Sequence, residues 1–270
     1  MIMTDHPAWL HTDAGAAYRA VAVGDSAVLI KAESAEGSEG VDSGGSTIRI
    51  DTVDPSVLSG PDDLVTPLKN AGIVVRVANP SLWNAVTAAI MRQVVQAGHA
   101  RTRYPRFCTA YGEPVTRDGL TAWLFPEPHR ILALTDEQFG TVGAAFPKSA
   151  LRDAARCFLT HGEVWETLSA VDLVQALQTI PRVGRWTACT AVADYTNDFS
   201  FYDYSDIAVQ PAARRLNPER DWPQGAPAFK AAWEEMAGNQ LSAWTISTLT
   251  WGINHAKLDH SATSSPARGS

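Results

Sequence analysis

Residues 177–209 hold the groups best suited to do chemistry. Pro181-Arg182-Val183-Gly184 separates two helical patterns, and Arg185-Trp186-Thr187-Ala188 opens the second of them. A tight turn of this kind leaves backbone N–H groups unpaired at the start of the following helix. That end is an anion site, and phosphate is a natural ligand for it. Twenty residues beyond Trp186 stands Asp206, in Asp-Ile-Ala-Val. A carboxylate there can act on whatever nucleotide the turn holds, by stabilising developing positive charge and by orienting or deprotonating water. Plainer readings compete with both features. The turn is also what an ordinary helix-helix connection needs, and Ser205-Asp206 ahead of a helical run is a natural N-cap. Asp203, three residues earlier, is the rival carboxylate.

The elements that must position these groups are mostly helical. From Asn79-Pro80-Ser81 onward the apolar period is that of a helix, with Leu82, Ala85, Val86, Ala89 and Ile90 on one face. Further helical patterns are expected at about 128–134, 135–143, 148–161, 170–179, 185–196, 206–216, 226–237 and 239–256. Residues 111–128, with Gly112, Pro114, Gly119, Pro126 and Pro128, read as a loop. Residues 1–78 differ. Short β-branched alternations at 18–31, 47–53 and 72–77 predict strands, and the Gly/Ser/acidic stretch 33–46 predicts a flexible loop or a hairpin connection. The expected organisation is a small α+β domain over 1–78, a helical domain over 79–258 and a disordered tail over 259–270.

Bulk composition restricts the function. With 45% apolar and 19% charged residues the chain has ample material for a core. No apolar run approaches the roughly 20 residues of a membrane helix. The start, MIMTDHPAWL, carries no secretion signal. Cys108, Cys157 and Cys189 are too scattered for a disulfide framework or a zinc site, so a reducing cytoplasm is expected. The net charge of −7 argues against a generic nucleic-acid binder. Its distribution softens the objection: residues 1–78 carry −6, whereas residues 79–215 balance 13 acidic against 13 basic groups.

Four further segments raise the hairpin above an ordinary turn: Ala88-Ala89-Ile90-Met91-Arg92-Gln93-Val94-Val95, Tyr111-Gly112, Phe125-Pro126-Glu127-Pro128, and Gln178 through Ala188 with Asp206 beyond it. In order and spacing they resemble the helix-hairpin-helix DNA glycosylase superfamily. Within it they are most similar to the bacterial inducible 3-methyladenine (alkylpurine) glycosylases, over roughly residues 80–256. The resemblance implies a mainly α fold: an all-helical helix-hairpin-helix glycosylase domain preceded by the small α+β domain. It implies double-stranded DNA containing a damaged base as partner, a monomer near the nucleoid, and base-excision repair as the activity. One position departs from the family, which usually has glycine where this chain has Arg182. Arginine costs strain if its φ is positive, but adds a cation beside the DNA backbone.

The same resemblance assigns roles. Asp206 takes the catalytic aspartate position. Trp186 and Trp251 take pocket positions, where an indole face attracts a cationic alkylated purine flipped out of the duplex; Tyr202 and Tyr204 flank the carboxylate. Arg182, Gly184 and Arg185 are the phosphate contacts. Val94 corresponds to the wedge that fills the vacated stack, and is equally suited to core packing. Gln93 either meets the orphaned base or caps a turn. Arg92, Arg101 and Arg103 form a second basic cluster. The family's monovalent cation, Na+ or K+, would rest on the backbone carbonyls of Gln178, Ile180 and Val183. No other cofactor is implied, because the four closely spaced cysteines of an iron–sulfur cluster are missing. No lysine occurs between 149 and 229, so the Schiff-base nucleophile of the lyase branch has no candidate and a monofunctional enzyme is expected. Two alternatives stay open: a glycosylase for another base or a bulky adduct, and a non-catalytic protein that uses the hairpin only to hold DNA.

Overall fold

The computed structural model describes residues 1–13, 15–35, 38–43, 48–93, 97–203 and 208–263. The N-terminal third carries β1 (Leu10–His11), β2 (Ala17–Val23), β3 (Ser26–Ala35), β4 (Ser38–Asp42), β5 (Ile50–Val53), α1 (Asp62–Ala71) and β6 (Val74–Val77). There follow α2 (Leu82–Met91), α3 (Ala97–Tyr111), β7 (Pro114–Arg117), β8 (Leu120–Trp123), α4 (Pro128–Ala133), α5 (Asp136–Thr141), α6 (Lys148–Trp165) and α7 (Ala170–Leu177). The chain continues through α8 (Arg185–Thr196), α9 (Val209–Leu216), α10 (Ala226–Ala237) and α11 (Leu241–Thr263). Helices dominate and the sheets are small, of four, two and two strands. No described helix is long and apolar enough to cross a membrane.

Contacts divide the chain into two compact units. The larger comprises His6–Asp51 and Val77–Tyr202. Its centre is α2 packed on α8. Ser81 caps α2 by accepting the Asn84 N–H at 3.2 Å, and every residue of α2 except Asn84 is buried. Thr187 through Asp194 of α8 are buried as well. Two helices buried on nearly all sides must lie inside, and amphipathic α6 and α7 cover them. Beside these helices lies an antiparallel sheet in the order β1-β2-β3-β4. Its β2–β3 hairpin pairs Val23 with Ser26 across Gly24-Asp25, with Gly24 at φ 56°.

Several sequence expectations need correction. Over 33–46, expected as a flexible loop or a hairpin connection, the hairpin alternative holds, because β3 runs to Ala35 and β4 returns over Ser38–Asp42. The 111–128 loop contains the β7–β8 hairpin, closed by Asp118-Gly119 at φ 52° and 76°. An Asp-Gly pair between β-compatible residues is the signal for such a turn, and the prolines around it obscured it. Helix α1 was hidden by its internal Pro67, and α3 by Pro105. Helix α11 reaches Thr263, past the expected start of the tail.

Gly112 closes the junction between α3 and β7 by close approach. A Cβ there would stand 1.9 Å from the Leu124 carbonyl oxygen. The following Phe125 stacks on Phe107 with centroids 5.2 Å apart, and the Pro126 carbonyl accepts the Trp83 indole N–H at 3.0 Å. The segment before α4 is thereby fixed to α2 and α3.

The smaller unit comprises Met1–Asp5, Thr52–Arg76 and the chain from Asp203 onward. Its first residues pair with Val75, through the Met3 N–H at 2.9 Å and the Met1 carbonyl at 2.8 Å. Arg76, 2% exposed, binds Asp5 with both Nε and Nη2. Trp222, Phe229, Trp233 and Trp244 form one aromatic cluster. Helices α9 and α11 meet at Gly252, where a Cβ would stand 2.7 Å from that of Ala212.

Candidate nucleic-acid interface

The hairpin is built as its sequence predicts, α7 then a turn then α8. Leu177, Ile180 and Val183 anchor it in the core at 0%, 1% and 4% exposure, and the turn closes through Val183 N–H to the Ile180 carbonyl at 3.1 Å. Gly184 is the N-cap of α8, with φ −86° and ψ 178° and no side-chain cap. The first N–H groups of α8 therefore have neither intrahelical nor side-chain acceptors among the described residues, and the helix dipole adds partial positive charge. Arg185 is exposed beside them.

Arg182 sits at φ 68°, in the left-handed region. This is the strained case raised by the missing glycine, and two contacts hold it. The side-chain amide of Gln93 donates to the Arg182 carbonyl at 3.1 Å and to Thr187 Oγ1 at 2.8 Å. The Arg182 guanidinium pairs with Asp153 of α6. Gln93 thus bridges the end of α2 to both sides of the turn.

Trp186 is half-buried, and its indole Nε1 is buried without a hydrogen-bond partner among the described residues. An unpaired buried donor is costly unless something completes it. Tyr202 is 4% exposed and stacks on Phe199 with centroids 5.6 Å apart, so one ring face is used in packing. In the smaller unit, Trp251 is half-buried and stacked on His255 at 3.8 Å. Asp206, Tyr204 and Val94 lie outside the described residues. Of the second basic cluster, Arg92 caps α2, Arg101 is exposed, and Arg103 keeps a buried Nη1 unpaired among the described residues.

Sequence reasoning missed a buried polar network around α8. Asp194, 6% exposed, accepts the Asn79 amide at 2.7 Å and lies 3.8 Å from His6 Nε2. Asn79 also donates to Asn84 at 2.9 Å, and Asn84 donates to the Tyr104 hydroxyl at 2.7 Å. Burial pushes the Tyr104 phenol and the Cys108 thiol well above their ordinary pKa, so both stay neutral. None of the three cysteines forms a disulfide, and no group of three His, Cys, Asp or Glu among the described residues could hold a metal ion.

With this geometry the fold has relatives of known structure. A 3-methyladenine DNA-glycosylase from Archaeoglobus fulgidus matches with a TM-score of 0.71 at 16% identity, over 93% of this chain and 91% of that one. MBOgg1, in complex with a low affinity DNA ligand, matches at 0.70 and 14% identity, over 94% and 90%. An 8-oxoguanine glycosylase/lyase from Clostridium acetobutylicum, bound to double-stranded DNA, matches at 0.66 and 14% identity, over 92% and 88%. This is the fold of the helix-hairpin-helix DNA glycosylases. No family model and no curated protein matches the sequence. The likeness is therefore one of fold, carried by nearly the whole length of each chain.

Proposed function

We propose that the protein is a monofunctional DNA glycosylase that hydrolyses the N-glycosidic bond of a damaged base, an alkylated purine by preference. The observation that carries this reading is the open N-terminus of α8, an uncapped Gly184 with Arg185 exposed, directly followed by half-buried Trp186. An anion-binding helix end next to an aromatic surface suits a phosphate and the extruded base beside it.

As the bond between sugar and base breaks, the base leaves with the bonding electron pair and positive charge builds on the sugar. The Asp206 carboxylate is assigned to stabilise that charge. It also takes a proton from the attacking water, whose oxygen bonds to the anomeric carbon. With Arg185-Trp186 after the hairpin glycine and no lysine between 149 and 229, the lysine that the lyase branch uses for strand cleavage has no counterpart, and the product is an abasic site. The carbonyls of Gln178, Ile180 and Val183 would hold a monovalent cation that offsets phosphate charge. Ile180 already accepts one N–H and keeps its second lone pair for such a role.

The test is excision from methylated double-stranded DNA by wild type beside Asp206→Asn, scored for free base and alkali-labile sites. Release by wild type alone, with DNA binding kept in the variant, is the expected result. Binding without release by either protein on a panel of damaged bases would replace the enzyme with a non-catalytic DNA-binding protein.

A further inference from the structure

We infer that Asp153 is a positioning residue for the DNA-binding hairpin. It clamps the Arg182 side chain so that the turn keeps its left-handed backbone, and Arg182 serves as a brace rather than as a phosphate ligand. The inference rests on the proposed function for its DNA readout, but not for its structural one.

A non-glycine residue in the left-handed region is strained, and only Asn and Asp relieve that strain with their own side chains. Among the described residues, the other two positive-φ residues that are not glycine are Asp118 and Asn197, which are of that kind. Arg182, at φ 68°, is not, so its conformation must be held from outside. Both ends of the residue are held. The carbonyl takes the Gln93 amide at 3.1 Å, and the guanidinium is taken by Asp153. Asp153 fits this role because its side chain is only 17% exposed and it lies on an 18-residue helix. Its other oxygen binds Arg156 at 2.9 Å, which keeps the carboxylate oriented. Turn, α2 end and α6 are thus joined through one residue. The bridge uses Nη1 of the guanidinium, so the side chain is tethered to α6 although its remaining N–H groups stay open to solvent.

The two roles of Arg182 predict opposite signs for Asp153→Asn. If Arg182 were a phosphate ligand held in reserve, freeing it would tighten DNA binding and steepen its salt dependence by about 0.9 per added contact. For a brace, freeing it loosens the turn. The expected result is a KM for DNA raised about two- to fivefold, the scale of one exposed ion pair, with kcat unchanged. In the Arg182→Gly background, where glycine takes the positive φ without strain, Asp153→Asn adds no further loss.

A second readout needs no DNA. Amide hydrogen exchange at Val183 and Ala188, whose N–H groups are bonded to the Ile180 and Gly184 carbonyls, should quicken about two- to fivefold in Asp153→Asn and be insensitive to the same change in Arg182→Gly. Unchanged exchange overturns the clamp, as does tighter DNA binding. Quickened exchange in a protein that binds no DNA would leave the clamp standing and sink the glycosylase reading instead.

Discussion

The two ends of α8 solve the same problem in opposite ways. At its C-terminus, Asn197 adopts φ 58° and ψ 13°, the usual left-handed cap. It is 6% exposed, and its amide donates to Asp51 at 2.8 Å. Thr196, Asp198 and Ser200 hydrogen-bond among themselves just beyond. At its N-terminus the same backbone conformation falls on an arginine two residues before the cap, and the cap position is a bare glycine. One end is sealed by its own side chains and neighbours. The other spends its contacts on shaping the turn and leaves its N–H groups open. A helix built this way is anchored behind and presented in front, which is the arrangement an anion-binding end requires.

The largest test of this contrast lies on the anchored side. Asp194→Ala strips the acceptor from the Asn79 amide and removes the carboxylate facing His6, leaving buried polar groups unpaired. Breaking a set of this kind should cost about 3 kcal/mol of unfolding free energy, measured by urea denaturation. A loss below about 1 kcal/mol would mean the network is packing rather than anchor.

Asn197→Ala comes next. The left-handed penalty of about 1 kcal/mol adds to a similar amount for the hydrogen bond to Asp51, giving roughly 2 kcal/mol. Asn197→Gly should recover the backbone part and lose only the contact, so the two variants separate the terms. If they are equally destabilised, the backbone conformation is not what the asparagine supplies.

The contrast was legible in the sequence on one side only. Pro181 and Gly184 bracket the turn, and the expected helix over 185–196 is the one observed, because a breaker pair between two apolar helical patterns leaves little choice. Gln93 was visible as a polar residue at the end of an apolar helix, with the contact to a turn among its readings. Asp153 was not, because it lies 29 residues from Arg182 in an amphipathic helix where an exposed charge is unremarkable. Asp194 was hidden for a related reason: its partners His6 and Asn79 come from chain segments far away, and no periodicity encodes such a meeting. The β7–β8 hairpin was missed although Asp118-Gly119 marks it, since Pro114, Pro126 and Pro128 weighted the segment toward loop. Local order and breakers survive in sequence, whereas polar contacts between distant segments do not.

The smallest effect on stability is expected at the presented end, and it sharpens the comparison most. Gly184 has φ −86°, open to any residue, and a Cβ built on it meets nothing within 4 Å. The fold therefore makes no demand for glycine there. Gly184→Ala should change stability by less than about 1 kcal/mol, because the reduced freedom of the unfolded chain is offset by alanine's poorer fit to an N-cap. DNA affinity should fall. On the proposed function, a methyl group at the cap stands where a phosphate would approach the α8 N–H groups, and one lost hydrogen bond to a charged group is worth about 1.5 kcal/mol. That corresponds to roughly tenfold in Kd, measured at fixed salt against an undamaged duplex. A variant as stable as wild type but tenfold weaker on DNA would place the glycine's purpose outside the protein. Equal affinity would mean that the open end of α8 faces solvent rather than a phosphate, and the two ends would then differ in form without differing in use.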